Sequence, residues 1–484
     1  FLLSACSGIT INIDNIFPAE TLTEESTDDT TAGAADTSAA DTTAADTIKT
    51  YEYTGYSRAS EYLENLGEYS FDGESLFIKS TTEDAVNLIF ISATDDGDGS
   101  STYSEALYER TLMVEEKLLC ELHYVVTTAE EMETELAAAL DDGSYYSNLL
   151  LLSQSELETF AVGGYLCSLY SLPFFDVEED YILTDATLQL AAGYDLYGMV
   201  SWATADPDDI PCVFVNTALL PDTDTSVETT VKRGEWTWDK LLTLGNLTWG
   251  TDSNEDSTDI ITASLGLHFV LNEERTVPTV TLPEGAADAA ALTYQISKSG
   301  SLSSGTLDDF IAGGSAFYVG TLGDMNSLAL TGVEWTVVPI PKYSESQSSY
   351  YSLVSGGAVL AVPANITDYT GASYLIRALA AASCGYLRDS YVQYHMYSTV
   401  RSESALDMIE IIYDSVFYDF SFSLGYGSKS VSEATYGLIH EAIADTEETD
   451  SDDDTFDLDI EALFEDHRGN ADYILAERYP LPNE

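Results

Sequence analysis

The stretch that decides the fold reads YDLYGMVSWATADPDDIPCVFVNTALL over residues 194–220 and VKRGEWTWDKLLTL over residues 231–244. Within the first part, the run Val213-Phe214-Val215 is apolar, Pro211 precedes it and Asn216 follows it. A short apolar run with such boundaries is typical of a strand that is buried on both faces. The first part therefore predicts a loop that leads into a buried strand.

The second part predicts the start of a helix. Thr237 is placed to cap it, because a threonine hydroxyl can accept a hydrogen bond from the free backbone N–H groups of the first turn. Asp239 then lies in that first turn, where the helix dipole favours a negative charge. The apolar face begins with three leucines, Leu241, Leu242 and Leu244.

Composition limits the partners of the chain. Its 484 residues are enough for two or three domains or lobes, and 45% of them are hydrophobic. The formal net charge is −67, from 84 acidic and 17 basic residues. Nucleic-acid binding and docking on anionic lipid both need clusters of Lys and Arg, so this charge argues against them. Acidic residues are so numerous that a close pair of carboxylates is not diagnostic of catalysis.

The amino-terminal residues predict a lipid anchor. Leu3-Ser4-Ala5-Cys6 matches a bacterial lipobox, so residues 1–6 are interpreted as the remnant of a lipoprotein signal peptide. Cys6 is then the lipidated residue that attaches the protein to the membrane. Residues 7–50 are rich in Thr, Ala, Asp, Glu and Ser and nearly repeat AADTSAADTTAADT, which predicts a disordered acidic linker.

From about residue 51 the pattern becomes that of a folded α/β protein. Apolar runs alternate with segments of helical periodicity, which predicts a parallel, doubly wound sheet. The predicted strands are 75–78, 87–91, 122–127 and 149–152, and the predicted helices include 107–118 and 129–140. Later strands are predicted at 359–362, and later helices at 370–383 and 405–416.

Several blocks of the sequence carry a family resemblance. They read YSEALYERTLMVEEKL (103–118), GGYLCSL (163–169), VFVNTALL (213–220), GEWTWDKL (234–241), DDFIAGGSAFY (308–318), VEWTVVPIPKY (333–343) and SESALDMIEIIYDSVFYDF (402–420). In this order they resemble the extracellular solute-binding proteins of bacterial sugar-type ABC importers, over roughly residues 71–420. The chain departs from the family pattern at Thr217, where the family usually has Lys, and at Ser168, where it has an acid.

The resemblance implies a two-lobed, periplasmic-binding-protein-like fold of type II. Each lobe would hold a mostly parallel, doubly wound sheet flanked by helices, with a hinge between the lobes. The amino-terminal lobe would comprise residues 51–186 and 356–400, and the carboxy-terminal lobe residues 187–355 and 401–484.

It also implies a function. The protein would be a monomeric, lipid-anchored substrate-binding protein on the extracellular face of the cytoplasmic membrane. It would capture a small solute, a carbohydrate, and deliver it to the permease subunits of an ABC importer. No cofactor and no catalysis are expected. Two alternatives stay open: a surface sensory or adhesive protein with the same fold, and an anchored glycoside hydrolase that uses two of the many acids.

Candidate ligand residues follow from sugar chemistry and from the fold. Aromatic rings stack on the apolar faces of sugars, and polar side chains bind the hydroxyls. Ligands bind at the carboxyl ends of the strands in open α/β sheets. The candidates are therefore Trp202, Thr204, Asp206, Asp324, Asn326, Asp95, Asp96, Tyr350 and Tyr351. Trp236, Trp238 and Trp335 are instead predicted to pack in the core. An acidic cleft would suit a neutral or cationic ligand.

The remaining motifs are weak. Asp252, Asn254 and Asp256 are spaced like the first ligands of a calcium loop, but Ser257 replaces the usual Gly and Ala263 occupies position twelve. An ordinary acidic turn is the favoured interpretation, and a metal site there is only a weak candidate. Besides Cys6, the chain has four scattered cysteines, which favour buried thiols over two disulfides: Cys120, Cys167, Cys212 and Cys384.

Overall fold

The structure is a computed structural model of the 484-residue chain. It describes residues 55–81, 102–192, 195–205, 207–222, 225–250, 257–266, 280–282, 285–298, 302–354, 357–395, 403–419, 425–426, 429–430, 436–448 and 459–478. All of these residues belong to one compact unit, Lys49–Glu484. The other unit, Phe1–Ile48, and the predicted strand 87–91 lie outside the described residues.

Helices and strands alternate along most of this unit. The strands are β1 (Glu74–Ser80), β2 (Cys120–Val126), β3 (Leu149–Ser153), β4 (Ala191–Ala192), β5 (Asp195–Leu196), β6 (Gly198–Met199), β7 (Pro211–Asn216), β8 (Leu247–Gly250), β9 (Leu302–Gly305), β10 (Phe317–Thr321), β11 (Trp335–Val338), β12 (Ser352–Leu353), β13 (Ala358–Ala361), β14 (Val416–Phe417), β15 (Gly425–Tyr426) and β16 (Lys429–Ser430).

The α-helices are α1 (Gly55–Asn65), α2 (Thr102–Leu118), α3 (Ala129–Asp142), α4 (Gln154–Val162), α5 (Thr184–Gln189), α6 (Val227–Lys232), α7 (Trp238–Leu244), α8 (Ser257–Ser264), α9 (Ala286–Lys298), α10 (Leu307–Ile311), α11 (Asp324–Ala329), α12 (Tyr369–Ala382), α13 (Arg388–His395), α14 (Glu403–Asp414), α15 (Tyr436–Glu448) and α16 (Ile460–Arg478). A π-helical turn, Ser383–Leu387, joins α12 to α13.

The first large sheet has the strand order β2-β1-β3-β13-β6. Strand β1 pairs in parallel with β2 and with β3, so that Ile78 lies opposite both Tyr124 and Leu149. Strand β13 is antiparallel to both of its neighbours, with Leu360 opposite Leu151 and Met199. Four strands therefore run in one direction, and β13 alone is reversed within this sheet.

The second large sheet has the order β11-β7-β10-β8-β9. Strand β10 is parallel to β8, and β8 is parallel to β9. Strand β7 is antiparallel to β10, where Phe214 lies opposite Tyr318, and antiparallel to β11. Again four strands share one direction and one, β7, is reversed.

The two reversed strands are the ones at which the chain changes sheets. Strand β6 of the first sheet ends at Met199, and the next strand, β7, belongs to the second sheet. Strand β7 begins at Pro211, which pairs with Thr321 at the carboxyl end of β10. Strand β11 ends at Val338, and β13 then begins at Ala358, opposite Ser153 at the carboxyl end of β3. Residues 200–210, the first crossing segment, and residues 339–357, the second, therefore each join the carboxyl edges of both sheets.

Local sequence explains where the elements begin. The Thr237 hydroxyl accepts from the Lys240 N–H at the start of α7, which confirms the predicted cap. Full capping boxes open α3 and α4, where Thr128 and Ser153 are paired with Glu131 and Glu156. The residues of the predicted α2 face, Leu107, Thr111, Val114 and Leu118, are all buried.

The burial of the tryptophans and of β7 can be compared with the predicted core. Trp236 and Trp238 are fully buried, as predicted, and strand β7 is buried along its whole length. Trp335 is half-buried on the edge strand β11. A second, smaller apolar cluster joins α8, α9, α15 and α16 through residues such as Ala290, Ile439 and Phe464. Strand β6 pairs with the first sheet, although the predicted boundary between the lobes lies before it, at residues 186 and 187. The lobe boundaries stay a prediction.

The four cysteines within the described residues are free thiols, as predicted. Cys167, Cys212 and Cys384 are buried, and Cys120 is half-buried. Burial raises the pKa of the Cys384 thiol to about 11 and that of Cys120 to about 12. These thiols are therefore protonated and weakly nucleophilic at neutral pH.

Candidate ligand-binding site

The first crossing segment forms a compact turn between the two carboxyl edges. The backbone N–H of Thr204 donates to the Ser201 carbonyl oxygen at 2.9 Å, and the Thr204 hydroxyl donates to the same oxygen at 3.2 Å. The Thr204 hydroxyl also accepts from the Ser201 N–H at 3.3 Å. Thr204 is almost fully buried, and in the described conformation its hydroxyl group stabilises this turn.

Trp202 lies in the same turn and is 5% exposed. The ring of Tyr413, on α14, meets it edge to face with 4.8 Å between the ring centres. The Arg388 guanidinium, on α13, lies 5.7 Å from the Trp202 ring and 5.8 Å from the Tyr413 ring, and it donates to Asp414 at 2.8 Å. Protein groups therefore cover the indole, and they tie the crossing segment to two helices.

Asp208 connects the crossing segment to two elements, helix α13 and the loop between β10 and α11. The Tyr391 hydroxyl, on α13, donates to Asp208 Oδ1 at 2.5 Å. The Asp208 carbonyl oxygen accepts from the Gly323 N–H at 3.1 Å, in the loop between β10 and α11. Nearby, the Leu322 N–H donates to the Ile210 carbonyl oxygen at 3.0 Å. Burial raises the pKa of the Asp208 carboxyl, and the Tyr391 hydrogen bond partly opposes that rise.

Asp324 stands at the carboxyl end of β10. Its Oδ2 accepts from the Thr321 N–H at 3.1 Å, which fixes the carboxylate over the strand end. Gly320 makes room for it, because a Cβ there would lie 2.2 Å from Asp324 Oδ2. Asn326, two residues further along α11, is exposed. Trp202, Asp208 and Asp324 are thus brought to one region by the contacts between residues 207–210 and 322–323.

Tyr350 and Tyr351 are placed elsewhere. The Tyr350 hydroxyl donates to the Val231 carbonyl oxygen at 3.0 Å, and the Lys342 ammonium lies 5.2 Å from its ring. Tyr351 meets the Phe417 ring edge to face at 6.2 Å and packs against the smaller apolar cluster. Both tyrosines therefore secure the second crossing segment to its surroundings.

Other predicted residues lie outside the described residues. These are Asp95, Asp96, Asp206, Cys6 and the loop residues Asp252, Asn254 and Asp256. Within the described ranges, no cluster of His, Cys, Asp and Glu has the arrangement of a metal site. No helix in those ranges has the length and apolar character needed to cross a membrane.

Sequence reasoning missed four members of this region: Asp208, Arg388, Tyr391 and Tyr413. Asp208 lies in the stretch that decides the fold, but one acid among 84 gives no signal. Arg388 is one of only 17 basic residues, and that rarity was a usable signal. Arg388 and Tyr391 are three positions apart on one helix, so both can reach the crossing segment.

The chemistry of this region is that of hydrogen bonding and stacking. Carboxylates accept hydrogen bonds from hydroxyl groups, a guanidinium donates them, and aromatic rings pack against C–H faces. Together these groups fit an uncharged, hydroxyl-rich ligand better than an anion.

Of the comparisons with known proteins, the one with solved structures bears on the fold. No protein-family model matches the chain, and no curated protein sequence matches it. Among solved structures, it is similar to the sugar-binding protein MalE of the phytopathogen Xanthomonas citri, with 12% identity and a TM-score of 0.50 over 84% of this chain and 98% of that one. The chain therefore has a periplasmic-binding-protein-like fold, as the sequence predicts.

Two further structures are similar over a comparable length. A cyclic α-maltosyl-1,6-maltose-binding protein from Arthrobacter globiformis has 12% identity and a TM-score of 0.49 over 83% of this chain and 98% of that one. A cyclo/maltodextrin-binding protein in complex with maltotetraose has 12% identity and a TM-score of 0.48 over 85% and 98%. All three are named as binding proteins.

Proposed function

We propose that this chain is the solute-binding protein of a sugar-type ABC importer and that it binds an uncharged carbohydrate between two α/β lobes. The observation that carries the proposal is the pair of crossing segments, each of which joins the carboxyl edges of the two large sheets. Ligands of open α/β sheets bind at those edges. The sequence blocks that resemble sugar-type solute-binding proteins support the same function.

The binding cycle would be a hinge movement. The lobes, residues 51–186 with 356–400 and residues 187–355 with 401–484, would close on the ligand and open to release it to the permease. The first crossing segment is suited to this role because few residues connect Met199 to Pro211. Opening would also separate Trp202 from Arg388, which belongs to the other proposed lobe.

The ligand contacts would come from the carboxyl edges of both sheets. Asp324 and Asp208 would accept hydrogen bonds from sugar hydroxyls, and Trp202 would stack on a sugar ring once uncovered. Asp95, Asp96 and Asp206 are proposed as further acceptors, and Asn326 as a contact at the rim. Tyr350 and Tyr351 would act indirectly, by holding the second crossing segment.

The proposed location is the extracellular face of the cytoplasmic membrane. Lipidated Cys6 would anchor the chain, and residues 7–50 would act as a tether. Expression of the chain behind a complete lipoprotein signal peptide tests this, with Cys6→Ser as the variant. We expect the wild-type chain in the membrane fraction and the variant in the released fraction. Equal release of both would contradict the anchor.

A thermal-shift and calorimetric screen of the 484-residue chain tests the binding function. The panel would contain maltose, maltotetraose, cellobiose, xylobiose, glucuronic acid, amino acids and polyamines. A ligand at about 100 times its Kd stabilises the folded state by roughly 2.7 kcal/mol, which raises the Tm measurably. We expect a shift with a neutral sugar, without conversion of that sugar. No shift with any sugar would contradict the proposal and favour a sensory or adhesive role, and turnover would favour the hydrolase.

A further inference from the structure

One tryptophan at the carboxyl edge of the second sheet has an unused hydrogen-bond donor. Trp249 is the last residue but one of β8, where it lies opposite Val319 of β10 and Ser304 of β9. Its side chain is 5% exposed, and its indole nitrogen Nε1 is buried. Among the described residues, no acceptor lies within hydrogen-bonding distance of this nitrogen.

Two fully buried tryptophans near the second sheet are different. Trp236 donates from Nε1 to the Pro339 carbonyl oxygen at 2.8 Å, and Trp238 donates to the Ser264 hydroxyl at 2.9 Å. Both are completely buried. A buried donor without an acceptor costs about 1–3 kcal/mol, so indoles that only pack are normally placed beside an acceptor, as these two are.

Three glycines lie at this edge of the sheet, on the face opposite to the Trp249 indole, because successive residues of a strand point to opposite faces. Gly250 and Gly305 lie opposite each other at the ends of β8 and β9, and Gly320 is the last residue but one of β10. A glycine inside a strand often marks a place where another group comes close to the backbone. At this edge the approaching groups are the protein's own side chains, since a Cβ at Gly250 would lie 2.7 Å from the Tyr318 hydroxyl oxygen.

Donors are also scarce in this region. Asp208 and Asp324 offer only acceptors when ionised, and the whole chain has 17 basic residues against 84 acidic ones. A sugar hydroxyl or ring oxygen can accept a hydrogen bond as well as donate one. A site that discriminates among sugars needs hydrogen-bond donors of its own. A sugar that lacks the matching oxygen leaves such a donor unpaired and therefore binds more weakly.

We infer that the indole N–H of Trp249 donates a hydrogen bond to an oxygen of the bound sugar and so contributes to the choice of sugar. This inference rests on the proposed function. Protein atoms cover Nε1 in the described conformation, so a sugar can reach it only when that cover moves. The hydrogen bond then forms only in the liganded state, where the sugar oxygen gives the Trp249 indole N–H an acceptor.

The test uses two matched substitutions in the full chain, Trp249→Phe and Trp238→Phe. Both remove the same ring volume and one N–H. For each panel sugar that binds the wild-type chain, Trp249→Phe should weaken binding by about three- to tenfold, the range that corresponds to one neutral hydrogen bond. It should lower the Tm less than Trp238→Phe, which breaks an existing bond. Trp238→Phe should leave the Kd unchanged.

NMR spectroscopy can detect the same hydrogen bond in the wild-type chain with the sugar bound. The chain has five tryptophans, and the indole N–H signal that disappears in Trp249→Phe identifies Trp249 in the ¹H–¹⁵N spectrum. Saturating amounts of the same sugar should move this signal downfield in the wild-type chain. An unmoved signal together with an unchanged Kd would overturn the inference and leave the binding function intact. A panel in which no sugar binds would overturn both.

Discussion

Tyr391 donates its hydroxyl hydrogen to Asp208 Oδ1 across 2.5 Å, although the two residues are 183 positions apart in the chain. This bond joins helix α13 to the first crossing segment. Asp208 in turn accepts, through its backbone, from Gly323 in the loop that follows β10. The Asp208 side chain therefore connects the crossing segment to α13, and the Asp208 backbone carbonyl connects the same segment to the second sheet.

Removal of this hydroxyl should destabilise the fold. In Tyr391→Phe the buried Asp208 carboxylate loses its donor, and hydrogen bonds to charged groups contribute about 1.5–3 kcal/mol. We expect the free energy of unfolding in urea to fall by about that amount. Tyr170→Phe is the matched control, because Tyr170 is 51% exposed and its substitution should change little. A Tyr391→Phe variant as stable as the control would contradict the importance of this bond.

The Asp208 carboxyl should also affect how stability depends on pH. Burial raises its pKa in the folded state above the value in the unfolded state. An acid with a raised folded pKa destabilises the fold when it is ionised, and this penalty diminishes as the pH falls through the folded pKa towards the unfolded one. Relative to Asp208→Asn, the wild-type chain should therefore gain stability between neutral pH and about pH 4. A constant difference between the two proteins over that range would contradict the assignment.

The Asp324 carboxylate depends on a glycine beneath it. In Gly320→Ala the new Cβ would lie 2.2 Å from Asp324 Oδ2, so the carboxylate must leave the Thr321 N–H that it now accepts from. We expect a lower Tm and weaker binding of any sugar that the wild-type chain binds. Gly332→Ala is the control, because a Cβ there meets no atom within 4 Å. Calorimetry on both variants compares them directly, and equal affinities would remove Asp324 from the proposed site.

Much of the fold could be predicted because its signals are local. The apolar run of β7 and the cap at Thr237 depend on neighbouring residues, and both appear in the structure as the sequence predicts. The alternation of strands and helices likewise indicates a doubly wound sheet without knowledge of any long-range contact. The reversed directions of β7 and β13 could not be deduced in this way, because they depend on which sheet each strand joins.

The candidate site was much less predictable, for a physical reason. Its contacts join residues that are far apart in sequence, such as Trp202 with Tyr413 and Asp208 with Tyr391. Tyr413 lies on a helix whose apolar face reads simply as core, and Asp208 is one acid among many. Trp202 was predicted because aromatic rings stack on sugars and because it lies in the loop before β7. Its burial beneath Tyr413 and Arg388 comes from the packing of α13 and α14.

A backbone feature at the end of α2 yields the last prediction. Leu119 follows α2 directly, has a φ of 49°, and is 57% exposed. The left-handed conformation costs an L-residue about 1–2 kcal/mol, which glycine avoids, and the exposed side chain contributes little packing to offset that cost. Leu119→Gly should therefore raise the free energy of unfolding by up to about 1 kcal/mol, after the larger entropy loss of glycine is subtracted.

Leu330→Gly is the control for this substitution. Leu330 also follows a helix and is 91% exposed, but its φ is −84°, so glycine relieves no strain there. Only the entropic cost of glycine remains, and we expect a loss of about 0.5–1 kcal/mol. Urea denaturation of the two variants should thus give changes of opposite sign. Destabilisation of both by the same amount would show that Leu119 makes a packing contribution as large as the strain that its conformation imposes.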